Sequence, residues 1–218
     1  MSRMNSENPP TDLVLSATNR LAKLRAEKEA QNNGGTGLAL IPNHIAAVID
    51  ASGSMDDRFP DYTSRETRLD CANAGFQSIL AASDPKKTAY TLIKIDSISQ
   101  VVVPKTTSYT MMQSRTVRGG GGTDGSGAIR LAKESRPTRI IMLTDGAFNH
   151  PAEALELAIS DPVIPIDTIA IGEASDTFLQ ELSRRTGGIF KRVANKEEMK
   201  QHFIMLEPRN YLRLSHNG

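Results

Sequence analysis

The chain has 218 residues, enough for one sizeable core, and its 39 % hydrophobic and 23 % charged residues are ordinary for a folded soluble protein. With 26 basic and 25 acidic residues the formal net charge is +1, which makes no electrostatic case for nucleic acid or an anionic membrane as partner. The single cysteine, Cys71, excludes an internal disulfide framework and cannot build a cysteine zinc site alone.

Met1 to Pro10 is polar, reads as a flexible tail and lacks the apolar centre of a signal peptide. Thr11 can cap a helix to about Ala30, with Val14, Ala17, Leu21 and Leu24 on one stripe. That stripe packs on the domain itself or docks a partner or a second copy. Gln31 to Gly37 is a linker by composition, so the expected division is residues 1–37 for tail, helix and linker and 38–218 for the main domain.

Ile45 to Ile49 is apolar without alternation, as in a strand buried on both faces, and it ends at Asp50-Ala51-Ser52-Gly53-Ser54. A polar insertion from Asp56 to Glu66 follows, then a helix expected from about Ser64 to Ala82, which would bury Cys71. Ala89 to Ile95 and Gln100 to Val103 read as strands whose short link favours an antiparallel hairpin. A short helix is expected within 106–117, and the glycine run Gly119 to Gly122 precedes Thr123 and another helical pattern. Arg139 to Leu143 is a second buried strand, ending at Thr144-Asp145-Gly146. The rest alternates: a helix over 151–160, a strand over 163–171, and a helix capped by Ser175 and stopped by Gly187-Gly188. A strand over 189–193 and a helix opened by Asn195 and Glu198 complete the chain. This order predicts a Rossmann-like, doubly wound α/β fold: a mostly parallel six-stranded sheet with one antiparallel edge strand and helices on both faces.

In such sheets ligands bind beyond the carboxyl ends of the strands. Asp50, Ser52, Ser54, Thr123 and Asp145 would gather there. Two carboxylates and three hydroxyls are hard oxygen donors and suit Mg²⁺ or Mn²⁺. The other reading of the first loop is a polar cap on the next helix.

Asp50-x-Ser52-x-Ser54, the Gly-Gly-Thr ending at Thr123, and Thr144-Asp145-Gly146 resemble the von Willebrand factor A domain and its metal-ion-dependent adhesion site, over about residues 43 to 206. The resemblance implies that Ser52, Ser54 and Thr123 are hydroxyl ligands of Mg²⁺ or Mn²⁺. Asp50 and Asp145 would act directly or through water, and an Asp or Glu of a partner protein would complete the shell. It implies a binding module rather than an enzyme, an adaptor or scaffold of the kind that works beside AAA+ ATPases. The cytoplasm is the expected location, since no apolar run approaches the ~20 residues that span a bilayer. Arg58, Phe59, Asp61 and Tyr62, in the insertion beside the metal, are the candidate partner-binding residues; a solvated loop is the plainer account.

Met55, Asp56 and Asp57 resemble an integrin segment that holds a second cation, but Arg58 stands where another acid would be wanted. Two further readings use other features. Gly120, Gly122 and Gly125 satisfy Gly-x-Gly-x-x-Gly and could cradle a pyrophosphate, although no strand feeds the loop. A metal-dependent hydrolase or phosphotransfer enzyme could use the same acids, although no activated nucleophile is evident. His150 could face the site, though a surface histidine at a helix start explains it better. A structural subunit assembling through the N-terminal helix is the remaining alternative.

Overall fold

The computed structural model describes residues 43–58, 66–113, 115, 117–172, 176–195 and 197–199. The expected N-terminal helix, Phe59, Asp61, Tyr62, the Ser175 cap and most of the C-terminal helix lie outside these residues.

Six strands form one sheet: β1 (Asn43–Asp50), β2 (Thr88–Ile95), β3 (Gln100–Thr106), β4 (Arg139–Thr144), β5 (Ile166–Ile171) and β6 (Phe190–Val193). Their order is β3-β2-β1-β4-β5-β6. All neighbours pair in parallel except β2 and β3, which are antiparallel. The expected doubly wound sheet with one antiparallel edge strand is therefore present. Among the described residues it is flanked by α1 (Arg68–Ala82), α2 (Tyr109–Gln113), α3 (Gly125–Glu134), α4 (Pro151–Ile159) and α5 (Asp176–Thr186), and residues 197–199 are helical.

The missing polar alternation in β1 and β4 has a direct cause. Each strand feeds two cores. Ala47, Ile49, Ile141 and Leu143 enter one cluster with Phe76 and Leu80 of α1 and Met112 of α2. Ala46, Val48, Ile140 and Met142 enter the other, with Ile129 of α3, Ala154 of α4 and Leu182 of α5. Cys71 is buried in the first cluster, as its helical setting predicts.

Several boundaries differ from the sequence expectation. The helix expected from about Ser64 starts at Arg68. Thr67 accepts from Asp70 N and donates its own N–H to the Asp70 carboxylate, a reciprocal capping box that fixes the start. β3 runs three residues beyond Val103, through Pro104; as the outer strand of the sheet it tolerates the missing N–H. β5 starts at Ile166 rather than Val163, after the prolines at 162 and 165. Gly187, at φ 76°, ends α5 as expected. Asn195 Oδ1 accepts from Glu198 N, while Glu198 reaches back to Ala194 N, so the expected capping pair is shifted by one residue on its return bond.

Candidate metal centre

β1 and β4 are neighbours and parallel, so their carboxyl ends open at one sheet edge. Asp50 closes β1 and Asp145 follows β4. Asp50 is fully buried. Its Oδ1 accepts from Ser52 N at 2.9 Å and its Oδ2 from Thr144 Oγ1 at 2.5 Å. Thr144 Oγ1 in turn accepts from Gly146 N. No basic side chain among the described residues pairs with Asp50. Burial, more than any other cause, pushes its carboxyl up to about 6; the bonds from Thr144 and Ser52 oppose this and the nearby Asp145 charge adds to it.

After Asp50 the chain makes a short 3₁₀ turn at Gly53–Asp56. This brings Ser52 Oγ and Ser54 Oγ to 3.2 Å from each other. Met55 is buried beneath the turn and anchors it in the core.

The glycine segment lies directly on this turn. Gly53 N donates to Gly121 O at 2.9 Å, and Gly120 N to Ala51 O at 3.0 Å. On its other side Gly122 N donates to Ser97 Oγ and Asp124 N to Asp96 O. There is no room for a side chain at 121, where a Cβ would stand 1.8 Å from Asp96 Oδ1. Gly119, against Ala51 and Asp56, and Gly121, against Asp96 and Ser97, therefore serve close packing of three loops. With the N–H groups of 120, 122 and 124 committed to protein oxygens, the segment is not built as a pyrophosphate cradle. The packing carries Thr123 into the site, buried, with its backbone oxygen accepting from Asn149 N in the loop after β4. The Thr123 hydroxyl makes no hydrogen bond among the described residues. Asp124 then caps α3, its carboxylate accepting from Gly127 N.

Asp145 Oδ2 accepts from Arg68 Nη1 at 3.2 Å, and the same nitrogen lies 3.4 Å from Ser54 O. Arg68 thus ties the first-strand loop to the fourth-strand loop. The five predicted residues are brought to one end of the sheet by these bonds. Arg58 is exposed and bridges to Thr67, at the base of the insertion. His150 is exposed at the start of α4 and makes no side-chain cap. His44 is buried away from the site, bonded to Thr91 Oγ1 at 2.9 Å, and burial lowers its pKa.

Arg68, Thr144, Asp96 and Ser97 hold the centre together, and sequence reasoning did not single them out for that work. One signal was present for Arg68: a basic residue in the first helical turn opposes the helix dipole and asks for a reason.

The donor set fits a small, hard dication. It is all oxygen, without cysteine or histidine; Asp50, Ser52, Thr123 and Asp145 are buried and Ser54 is half-buried. Among the described residues no group of three or more His, Cys, Asp or Glu side chains is placed to hold a metal. This set differs in kind, with two carboxylates and three hydroxyls.

Residues 45–147 match a family model described as von Willebrand factor type A domain, and this segment includes all five site residues. No curated protein matches the sequence. Similar solved structures include the conserved hypothetical protein BatB from Bacteroides thetaiotaomicron, at 19 % identity and TM-score 0.63 over 77 % of this chain and 99 % of that one. The PilB minor pilin from Streptococcus sanguinis has 14 % identity and TM-score 0.63, over 80 % and 62 %. The pilus adhesin SpaC from Lactobacillus rhamnosus GG has 13 % identity and TM-score 0.60, over 77 % and 30 %. The chain has a von Willebrand factor A-like fold, and its segment 45–147 matches the von Willebrand factor type A domain.

Proposed function

We propose that this protein is a metal-dependent protein-binding module, in which Asp50, Ser52, Ser54, Thr123 and Asp145 hold Mg²⁺ (or Mn²⁺) and an acidic side chain of a partner completes the shell. The observation that carries the reading is the convergence of two carboxylates and three hydroxyls from three loops that are hydrogen-bonded to one another. Asp50 is buried with no basic side chain of the described residues paired to it, an arrangement that a bound dication would compensate. Ser52, Ser54 and Thr123 would supply neutral oxygens, and Asp50 and Asp145 negative charge. Few direct carboxylates leave the ion net positive, which favours a carboxylate from outside.

One similar structure is named as a pilus adhesin, and binding another macromolecule is the role carried over from it here. The role proposed is adaptor or scaffold, in the cytoplasm, with an AAA+ ATPase as one class of assembly to examine. No helix among the described residues is long and apolar enough to cross a membrane. Arg58, Phe59, Asp61 and Tyr62, within the insertion Asp56 to Glu66, are the residues proposed to select the partner.

The test is a native pull-down with wild type in Mg²⁺, wild type in EDTA, and Asp50→Asn in Mg²⁺. A partner held only by wild type with metal supports the reading. A partner held equally in all three removes the metal from the interface.

A further inference from the structure

Three unfavourable features surround Arg68. It stands first in α1, where its charge faces the positive end of the helix dipole. Its side chain is only 15 % exposed, and its Nε is buried with no hydrogen-bond partner among the described residues. Room for it depends on Gly172, at the end of β5: this residue adopts φ +71°, and a Cβ there would lie 2.7 Å from Arg68 Nε. What these features secure is the position of Nη1, between Asp145 Oδ2 at 3.2 Å and Ser54 O at 3.4 Å. Both contacts belong to the proposed metal-binding loops.

We infer that Arg68 sets the charge of the centre: it competes with the cation for Asp145 and lends positive charge that draws a carboxylate ligand. This rests on the metal-binding reading above. A fixed positive charge beside a dication repels it, and the guanidinium draws on one Asp145 oxygen. Both effects lower cation affinity. The same charge, with one carboxylate largely neutralised by its ion pair, leaves the loaded centre more attractive to an anion. Arg68 is therefore a positioning and charge-setting residue, which trades metal affinity for ligand affinity. Anchoring α1 to the loops is the competing account, and it predicts different signs.

The experiment measures two affinities in the full chain. Mg²⁺ is titrated calorimetrically into wild type, Arg68→Gln, Arg68→Met and Arg68→Lys. Acetate, the simplest carboxylate probe, is then titrated into each Mn²⁺-loaded protein and followed by water-proton relaxation. Arg68→Gln and Arg68→Met are expected to bind Mg²⁺ on the order of tenfold more tightly and acetate about threefold to fivefold more weakly, as expected for one unit charge acting at short range at the high effective dielectric of a protein site. Arg68→Lys, which keeps the charge, should stay within about twofold of wild type on both axes.

Weaker or unchanged Mg²⁺ binding in both uncharged variants overturns the assignment, as does unchanged acetate binding. Failure of both to fold makes Arg68 a structural anchor and overturns it too. If wild type binds no Mg²⁺, the metal reading itself falls. If wild type binds it but the opposed shifts do not occur, only the role of Arg68 falls.

Discussion

Replacing Asp50 by Asn should stabilise the metal-free protein while abolishing its response to metal. Asp50 is fully buried, and its carboxyl titrates near 6 in the fold against 3.8 in the unfolded chain. The folded state therefore holds that proton more tightly. The stability this contributes is complete below 3.8 and is lost as pH rises through about 6. The difference of roughly two units corresponds to about 3 kcal/mol of burial penalty at pH 7. Asn has nearly the same shape and no charge. Its oxygen can still accept from Ser52 N, and its amide can donate to Thr144 Oγ1 once that hydroxyl turns. Allowing for imperfect replacement of these bonds, Asp50→Asn should be more stable than wild type by about 1–3 kcal/mol at pH 7 in EDTA. The assay is urea unfolding in EDTA between pH 4 and 8, repeated in Mg²⁺. The gap should close toward pH 4, where wild type is itself largely protonated. In Mg²⁺ the order should reverse, because only wild type gains binding energy. An Asn variant less stable than wild type at pH 7 in EDTA would mean that the buried charge is already compensated within the protein and carries no such penalty.

Three more outcomes follow from the same geometry. Mg²⁺ affinity, measured by calorimetry, should fall as pH drops below about 6, by up to about tenfold per unit, because the ion must displace the Asp50 proton. Gly121→Ala should weaken Mg²⁺ binding and lower the melting temperature, since its Cβ would collide with Asp96 Oδ1 and force apart the loops that place Thr123; unchanged values would show that these loops yield easily. Thr67→Ala should cost about 1 kcal/mol in urea unfolding through loss of the α1 capping box. Its effect on Mg²⁺ affinity should be small if Arg68 keeps its place.

The fold was legible because the central strands are apolar on both faces. Ile45 to Ile49 and Arg139 to Leu143 carry no alternation, and only a sheet covered by helices on two sides accommodates such runs. The order of strands and helices then leaves little choice of topology. Ends were harder. The start of α1 is decided by Thr67 and Asp70, a local exchange of two hydrogen bonds, whereas the helical periodicity extends a little further back. The reach of β3 is decided by its place at the sheet edge, which excuses Pro104.

The candidate site was legible as a set of residues but not as a mechanism of assembly. Asp50, Ser52 and Ser54 are close in sequence, and their spacing announces oxygen donors. The bonds that hold the three loops together are not local. Thr144 to Asp50 spans 94 residues, Arg68 to Asp145 spans 77, and Gly122 to Ser97 spans 25. No periodicity encodes such pairs. The glycine run misleads when read alone, since its spacing suits a phosphate cradle. Its purpose emerges only when Asp96 and Ser97 are found against it.

Binding of a cation by the five oxygen donors is what separates a metal-dependent module from a plain polar loop cluster. Its most direct test is a titration of Mn²⁺ into the full chain, followed by the electron paramagnetic resonance signal of the free ion, with wild type and Asp50→Asn side by side. One ion should bind per wild-type chain and be displaced by Mg²⁺, and none should bind to the variant over the same range. No binding by wild type, or equal binding by both, would contradict metal binding at this site.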